Sequence, residues 1–485
     1  MSSEVHVAER APEARHRRIA VLLICCMSLL IVGLDVTAVN VALPSIGRGL
    51  DADVSDLQWT VAGYSLVMAS LLMLAGSIGD RFGRKRTFVT GLSVFSLASL
   101  LCSVAPNVEL LVAFRVLQGV GGSMMNPVAM SIVTNTFTDP RERAQAVGVW
   151  GAAFGISMAL GPIVGGALVD SIGWRSIFWI NLPVGLAAIL LTLRYVPESR
   201  APRPRRFDAV GQLLVSTLLA TLTFAIIEAP SHGWLSAPIV AALCASAAAL
   251  IGLLVYEPRR EEPLIDLRFF RSTPFASSVA IAVAAFAAFG GFLFLSTLYL
   301  QEVRGLSPVD AGLAVTPMAL MIVVASPLSG RIVGRRGPRL PLLIAGTLLT
   351  LGAVLLTGLG PTTPFVWLVV AYVVFGLGFG FVNAPVTNAA VSGMPRAQAG
   401  VASAVASTSR QVGQTLGVAI TGALVTSSAA SAARPDFAQA THPAWWTIAA
   451  FGATVLALGL IATTDRAHAS AQRTAAELNP EALVA

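Results

Sequence analysis

Residues 57–86 read LQWTVAGYSLVMASLLMLAGSIGDRFGRKR, and residues 311–339 read AGLAVTPMALMIVVASPLSGRIVGRRGPR. Each stretch holds an apolar run of about twenty residues, which is long enough for an α-helix to cross the hydrocarbon core of a bilayer. Each run ends in a short loop rich in glycine and arginine. This repeated pattern predicts a helical membrane protein that contains an internal duplication.

The composition of the whole chain agrees with this prediction. Of the 485 residues, 55% are hydrophobic and only 12% are charged, whereas about a quarter of the residues of a soluble protein carry a charge. Apolar runs of about twenty residues favour helices over the ten-residue alternating strands of a membrane barrel. The formal net charge is +7, but the basic residues lie in short loops between apolar runs, which argues against nucleic-acid binding.

Apolar runs separated by charged or Gly/Pro-rich segments predict fourteen transmembrane helices. Six form a first bundle, two lie in a basic, proline-rich linker, and six form a second bundle. We therefore expect an all-α polytopic membrane protein with five regions: a tail at 1–18, a bundle at 19–196, a linker at 197–274 with extra helices at 210–228 and 235–256, a bundle at 275–464, and a tail at 465–485.

The distribution of the 32 lysine and arginine residues predicts the orientation of these helices. With an even number of spans both termini share one side, and 26 of the basic residues fall on that side. The other six lie in loops of the opposite side or inside spans: Arg48, Arg175, Arg304, Arg434, Arg115 and Arg410. Because cytoplasmic loops carry an excess of Lys and Arg, we expect both termini to be cytoplasmic.

Two further pairs of segments support the duplication. ALGPIVGGAL at 159–168 corresponds to TLGVAITGAL at 415–424, and GVGGSMMN at 119–126 corresponds to GLGFGFVN at 376–383. All matching segments follow the same order in both halves. They indicate a duplicated six-helix unit with two helices inserted between the copies.

Four motifs together resemble the major facilitator superfamily, and more closely its fourteen-span drug:proton antiporter branch: LDVTAVNVALP at 34–44, GSIGDRFGRKR at 76–86, RVLQGVGG at 115–122 and GPIVGG at 161–166. The resemblance covers almost the whole chain. It implies the major facilitator fold, with two six-helix bundles that alternate access to a central cavity. It also implies export of small organic molecules in exchange for protons.

Two of these motifs have a physical interpretation as moving parts. The loop after the second span combines glycines, which permit tight backbone approach, with an acid and arginines that can form charge-assisted hydrogen bonds. We interpret it as a cytoplasmic gating loop; the alternative is a plain basic anchor. Its candidate residues are Gly76, Asp80, Arg81, Gly83 and Arg84.

The motif in the fifth span is a stripe of small residues with a helix-loosening proline. The resemblance assigns it to antiporters, and the alternative is an ordinary tight helix contact. Its residues are Gly161, Pro162, Gly165 and Gly166. The proline is replaced by Val418 in the second half, so both halves do not share it.

Asp35 is the most informative residue, because a carboxylate inside an apolar span is costly and usually faces a cavity or a partner. It lies about 12 Å below the outer end of its span, and Arg115 lies about 8 Å below the outer end of span four, at 1.5 Å per residue. Our hypothesis is that Asp35 binds the coupling proton and that Arg115 biases its protonation. The alternative is a static ion pair between two spans.

A polar stripe at helical spacing lies in the thirteenth span and consists of Ser403, Ser407, Arg410, Gln411 and Gln414. We interpret it as a cavity lining, with Arg410 in contact with substrate or in a gate; hydrogen bonding between helices is the alternative. The remaining candidates for the substrate cavity are Asn40, Gln118, Asn126, Phe154, Phe289 and Asn383. Most aromatic side chains in such spans pack or face lipid instead.

We therefore expect a proton-coupled exporter of drugs or other amphipathic molecules in the bacterial inner membrane, and not an enzyme. The alternatives are a dedicated exporter of one antibiotic or metabolite, a proton-coupled importer, and a membrane scaffold. The proton gradient supplies the energy, so we expect no cofactor, no metal and no obligate protein partner. One deep acid against two deep arginines favours neutral, zwitterionic or acidic substrates over dications.

Overall fold

The computed structural model describes residues 2–201, 207–260, 262–392, 399–431 and 437–478. Within these residues all regular structure is helical. Five arginines that entered the orientation argument lie outside the described residues: Arg203, Arg205, Arg206, Arg396 and Arg434. The expected all-α architecture is confirmed for the part of the chain that is described.

The first half contains seven helices, of which α6 and α7 together make one span. They are α1 (Ser2–Leu50), α2 (Val54–Phe82), α3 (Arg84–Ser103), α4 (Val108–Thr136), α5 (Pro140–Ser171), α6 (Ser176–Trp179) and α7 (Asn181–Tyr195). Helix α1 continues back through the segment that we predicted as a tail.

Two inserted helices follow, and then the second half. The inserted pair is α8 (Ala209–His232) and α9 (Ala237–Tyr256), followed by 3-10 turns at Glu257–Arg259 and Leu267–Arg271. The second half consists of α10 (Thr273–Leu298) with a π-turn at Tyr299–Val303, α11 (Pro308–Arg336), α12 (Arg339–Val354), α13 (Phe365–Gly380), α14 (Asn383–Val391), α15 (Ala399–Ser431) and α16 (Phe437–Ala462). The chain then forms α17 (Asp465–Leu478).

Polar residues at the loop ends set where several helices begin. Asp53 accepts from the backbone of Asp56, whose side chain accepts from Asp53 in return, so both residues satisfy free N–H groups at the start of α2. Asn107, Asp139 and Ser307 cap α4, α5 and α11 in the same way through one side-chain oxygen each. Each of these capping residues marks the point at which a short loop between two apolar runs ends and a helix begins.

Twelve described helices are long and apolar enough to cross a membrane, which does not support our prediction of fourteen. The other two predicted spans correspond to α12 and α15, and each fails one of these criteria for a physical reason. Helix α12 is apolar but only 16 residues long, whereas a straight span needs about twenty. Helix α15 has 33 residues, but the polar stripe of Ser, Arg and Gln dilutes its apolar character.

The helices run between two faces of the bundle. We name the face that holds the start of α1 and the end of α16 the terminal face, and the face that holds the α1–α2 turn the opposite face. Near the opposite face the two halves are tied by several polar contacts. Gln301 donates to the Val41 carbonyl at 2.7 Å and Gln58 donates to the Ala419 carbonyl at 2.8 Å.

The inserted helices attach to the bundle through α8. Gln212 donates to the Ser70 carbonyl on α2 at 2.5 Å, and the Trp59 indole donates to Glu228 at 2.7 Å. Ile227 of α8 packs against Ala62 on α2 and Ala419 on α15, which places α8 across both halves. Helix α9 packs on α8 and leaves much of its apolar surface exposed, as expected for a helix that faces lipid.

The last described helix docks on the terminal face. Three small side chains of α17 are buried, namely Ala467, Ala471 and Thr474. Ser470 accepts from the Thr273 backbone at 2.9 Å, and Glu477 pairs with Arg271 at 2.8 Å. Part of the segment that the sequence predicted as a tail is therefore an amphipathic helix packed at the start of α10.

Candidate functional site

A fully buried ion pair joins α1 and α4. The Arg115 Nη1 atom lies 2.5 Å from the Asp35 Oδ2 atom, and both side chains are 1% exposed or less. Arg115 also donates through Nε to the Thr60 carbonyl on α2 at 3.1 Å. The structure thus brings together the two ionisable residues that the sequence placed deep in separate spans.

A hydrogen-bond network completes the surroundings of Asp35. Gln118 donates to Asp35 Oδ1 at 2.8 Å, and Asn181 on α7 donates to the same oxygen at 3.0 Å. Both amides also donate to the Ser99 hydroxyl on α3, at 2.9 and 3.2 Å. The carboxylate therefore receives hydrogen bonds on both oxygens, and four helices meet around it.

Tyr64 on α2 forms the other wall of this network. The Arg115 guanidinium lies over its ring, with 4.3 Å between the guanidinium carbon and the ring centroid. The Tyr64 hydroxyl is buried and has no hydrogen-bond partner in the described part of the chain. A cation held by a carboxylate, a carbonyl and an aromatic face is stabilised by each of them.

Sequence reasoning missed three members of the network: Asn181, Ser99 and Tyr64. A signal existed for Asn181, because it lies in the stretch WRSIFWINLPVG at 174–185, which also resembles the antiporter branch. Ser99 and Tyr64 are single polar residues in apolar helices, and only the packing of α2, α3 and α4 shows that they face Asp35.

The network can act as a proton-dependent contact. While Asp35 is ionised, it compensates the Arg115 charge, which a low-dielectric site would otherwise make costly. A proton on Asp35 removes that compensation and leaves the guanidinium held by Thr60, Gln118 and the Tyr64 ring. The same atoms can also serve as a static tie, so the geometry alone fits both interpretations of the pair.

The polar stripe lies on α15, in the second half. Most of its side chains are more accessible than other residues of the same helix. Ser403, Ser407, Arg410 and Gln411 are partly accessible, while the intervening Ala406 and Ser409 are buried. Gln414 is buried, and its backbone lies against Gly290 on α10. Because a polar, partly accessible face is disfavoured against lipid, this face fits an opening that contains water.

Arg410 has only hydroxyl partners among the described residues. Its Nη2 atom donates to the Thr387 hydroxyl at 2.6 Å and its Nη1 atom to the Ser407 hydroxyl at 3.3 Å. The Nε atom is buried and has no partner. The ion pairs found among the described residues do not include Arg410.

The other cavity candidates are scattered. Asn40 is buried and donates to the Val36 carbonyl of its own helix at 2.7 Å. The Oδ1 atom of Asn126 is buried and accepts no hydrogen bond from any described residue. Phe154 packs against the apolar core and Phe289 stacks on Phe379 with 4.2 Å between ring centroids. Asn383 is partly accessible at the start of α14.

The small residues of the GPIVGG motif contact two neighbours at once. A side chain added to Gly161 would overlap Thr37 on α1, and one added to Gly165 would lie 2.7 Å from the Ala38 Cα atom. One added to Gly166 would lie 2.5 Å from the Pro308 carbonyl on α11, in the other half. The motif therefore packs α5 tightly against α1 and across the boundary between the halves.

This close contact between α5 and α11 does not continue to the terminal face. Near the opposite face, Asp170 accepts from the Val309 backbone at 3.0 Å. Towards the terminal face, a Cβ atom built on Gly148 or Gly151 of α5 finds no described atom within 4 Å, and the same holds for Gly330 and Gly334 of α11. The two helices thus meet at one end and are loosely surrounded at the other.

The loop at 76–86 lies on the terminal face. Asp80 pairs with Arg84 at 2.8 Å, and Gly83 has a φ of 117°, which a side chain would strain. Arg81 lies over the Phe82 ring, and the nearest atom to a Cβ built on Gly76 belongs to Pro127. Hydrogen bonds described for this loop join it to itself and to the segment that follows α7.

Glu198, in the segment after α7, braces this loop, and the sequence analysis missed it. Its carboxylate accepts from the Lys85 backbone at 3.0 Å, and the Ser199 carbonyl accepts from the Arg84 backbone at 2.9 Å. An added side chain at Gly83 would lie 2.7 Å from the same carboxylate.

Fold and site define a class of protein. Among the described residues, twelve membrane-length helices in two related halves and a buried ion pair within the membrane region describe a multi-pass membrane protein of the transporter class. Residues 25–418 match the Major Facilitator Superfamily. The chain belongs to the Major Facilitator Superfamily, as the sequence motifs predicted.

Similar proteins support this assignment. The chain is 37% identical over 414 residues to the multidrug resistance protein Stp of Mycobacterium tuberculosis (strain ATCC 25618 / H37Rv), covering 85% of this chain and 77% of Stp. It is also 37% identical over 457 residues to the tetracenomycin C resistance and export protein of Streptomyces glaucescens, covering 91% of this chain and 84% of that protein.

Among solved structures, the fold is similar to the crystal structure of a D-xylose–proton symporter. The TM-score is 0.66 at 15% identity, with 91% of this chain and 97% of the symporter covered. At this identity the likeness concerns the fold alone.

Proposed function

We propose that this protein is a proton-coupled antiporter that exports drugs or antibiotic-like organic molecules across the bacterial cytoplasmic membrane. The observation that carries the proposal is the buried Asp35–Arg115 pair with its hydrogen-bond network. Relatives that are named as multidrug resistance and antibiotic export proteins support the export direction and the substrate class. The proton gradient is its energy source, and it needs no cofactor.

Coupling follows from the electrostatics of the pair. Ionised Asp35 holds Arg115 and so stabilises the contact of α1 with α4. In the outward-facing arrangement Asp35 takes up a proton from the outside as substrate leaves. Protonation weakens the contact of α1 with α4 and favours return to the inward-facing arrangement, where Asp35 releases the proton to the cytoplasm and pairs with Arg115 again. Each net charge that crosses the membrane contributes about 2.3 kcal/mol per 100 mV of membrane potential.

The close contact between α5 and α11 supplies the moving boundary. At the tight end of this contact, Gly166 of α5 lies against α11. The carbonyl of Pro162, also on α5, lies against Gly312 of α11. Small residues let the two halves approach closely at this end, and a helix without one backbone hydrogen bond bends more readily. In our interpretation the terminal face is open to the cytoplasm in this structure, and the loop at 76–86 helps to close it.

Topology belongs to the same proposal. We assign the terminal face to the cytoplasm because it carries most of the basic residues. We also keep the fourteen-span arrangement, with α12 and α15 as spans. Helix α15 supports this because it runs beside α10 over most of its length, and α12 supports it because turn residues after Val354 extend its apolar run to Leu359.

Substrate breadth has two candidate answers. Relatives named for multidrug resistance favour a broad pump, whereas the relative named for tetracenomycin C favours a dedicated exporter of one compound. A susceptibility panel of unrelated antibiotics, compared between cells with and without the protein, distinguishes them.

The central experiment measures accumulation of fluorescent dyes of different charge by inverted, energised vesicles. We expect wild-type vesicles to concentrate at least one dye and to lose this ability when a protonophore is added. We expect Asp35→Asn to abolish concentrative uptake, because the amide cannot exchange a proton.

Asp51→Asn is the matched control for this experiment. Asp51 is an exposed aspartate with a φ of 52°, and asparagine tolerates that conformation well. Normal proton-driven uptake by the Asp35→Asn variant would place the coupling site elsewhere and overturn the mechanism.

A further inference from the structure

The described part of the chain treats its two membrane-embedded arginines differently. Arg115 is neutralised by Asp35 at 2.5 Å, whereas Arg410 contacts only the hydroxyl groups of Thr387 and Ser407. A guanidinium carries five donors in a planar fork, and the two contacts leave the Nε donor of Arg410 buried without a partner. An arginine in this state is an incomplete site for an anion.

Arg410 lies deep in the membrane region, where an arginine without an acidic partner is unusual. It lies 11 residues after the start of α15 at Ala399, which is about 16 Å along the helix and close to half of a 30 Å bilayer core. A charge at that depth is normally paired, or faces water in a functional cavity. No carboxylate among the described residues pairs with it.

The accessibility of α15 supplies a second, independent observation. Arg410 and its neighbours Ser407 and Gln411 are partly accessible, although Val405, Ala406 and Ser409 on other sides of the same helix are buried. A ligand that enters along this partly accessible face can therefore reach the guanidinium. The polar side chains beside it offer hydroxyl and amide groups that can orient a bound group.

We propose that Arg410 is the binding site for an acidic group of the transported molecule, so that the exported substrates include organic anions with a carboxylate or an acidic phenol. This inference rests on the proposed export function and names its substrate class. An arginine fork binds a carboxylate through two parallel hydrogen bonds, which are stronger and more specific than neutral ones. Thr387 and Ser407 hold the fork in place.

The membrane potential acts in the same direction. The cytoplasm is negative relative to the outside, so outward movement of an anion is favoured by the potential, and an incoming proton adds to the same charge movement. Substrate release then leaves Arg410 without its anion, and protonated Asp35 leaves Arg115 without its partner. Both events would mark the outward-facing state.

The experiment compares binding and transport of two matched probes, coumarin-3-carboxylic acid and its uncharged methylamide. Binding is measured as thermal stabilisation of the purified full-length protein across a titration of each probe. We expect the wild type to bind the acid more tightly than the amide, and Arg410→Gln to lower this acid-to-amide affinity ratio about tenfold. Arg410→Lys, which keeps the charge but not the fork, should lower it less.

Arg336→Gln is the matched control, because it removes one positive charge from the exposed end of α11. An unchanged affinity ratio in Arg410→Gln, or an equal loss for acid and amide, would overturn the proposal and make Arg410 a structural or gating residue. Absence of any preference of the wild type for the acid would overturn it as well.

Vesicle transport separates this proposal from the proposed function. Binding of the acid through Arg410, together with no proton-driven transport of any dye, would retain the anion site and reject the exporter. Proton-driven transport of dyes with no contribution of Arg410 to acid binding would retain the exporter and reject the anion site.

Discussion

The two halves of this transporter descend from one repeated pattern, yet they handle positive charge in opposite ways. In the first half, Arg115 is paired with Asp35 and Arg84 with Asp80. In the second half, Arg410 has no acidic partner among the described residues, and glycine at position 334 replaces the acid of the corresponding loop. The deep arginine of the first half is thus compensated by an acid, whereas the deep arginine of the second half is available to a ligand.

This difference suggests a division of labour. A compensated pair responds to a proton, because protonation changes the charge balance inside the protein. An uncompensated arginine responds to an anion, because only an external group completes it. The two arginines are not equivalent in the repeat, because position 372 corresponds to Arg115 and holds a tyrosine.

The largest expected difference in stability is between variants that lack one or the other of the two deep arginines. Arg115→Met leaves Asp35 buried without its cation, so we expect it to lower the free energy of unfolding by about 3–5 kcal/mol. Arg410→Met removes a charge with no acidic partner, so we expect stability to be unchanged or higher. Thermal unfolding of the two purified variants in the same detergent measures the contrast, and equal losses in both would refute the comparison.

A smaller effect is expected from the second contact of Asp35. Asn181→Ala removes hydrogen bonds to Asp35 and Ser99 but keeps the ion pair, so we expect a loss of about 1–3 kcal/mol. Unfolding of this variant alone and combined with Arg115→Met measures their coupling. Simple additivity would show that Asn181 and Arg115 do not act on one network.

The smallest effect on stability is expected for a substitution in the loop at 76–86. Asp80 is 37% exposed and its ion pair with Arg84 is screened by solvent, so Asp80→Asn should cost no more than about 1 kcal/mol of stability. A clear loss of vesicle transport at this unchanged stability would indicate that the loop acts in gating. A stability loss as large as that of Arg115→Met would contradict the distinction between buried and exposed pairs.

Several features were predictable from the sequence because they depend on local pattern. Runs of about twenty apolar residues predict helices, and the family motifs at 34–44 and 161–166 lead to the superfamily that the comparisons confirm. The depth estimate placed Asp35 and Arg115 in one layer of the membrane. The number of spans was less predictable, because α12 is short and α15 is polar, so length and hydropathy disagree with the repeat.

The site was predictable only in part. Deep charged residues stand out in apolar spans, so Asp35, Arg115 and Arg410 could be selected without a structure. Asn181, Ser99 and Glu198 could not be assigned a role in this way, because a polar side chain reveals its partner only when another helix packs against it.

The sequence by itself determined that this chain is a duplicated helical membrane transporter, because hydrophobic length, loop charge and repeated motifs are properties of neighbouring residues. Only the tertiary structure decided which charges are compensated. Asp35 and Asn181 are 146 residues apart, and their contact exists because α1, α3, α4 and α7 pack around one point. Ser407 lies on the same helix as Arg410, but only the packing of α14 against α15 brings Thr387 to Arg410. Among the described residues the Nε donor of Arg410 is left buried without a partner, because helix packing decides which polar groups of different helices meet.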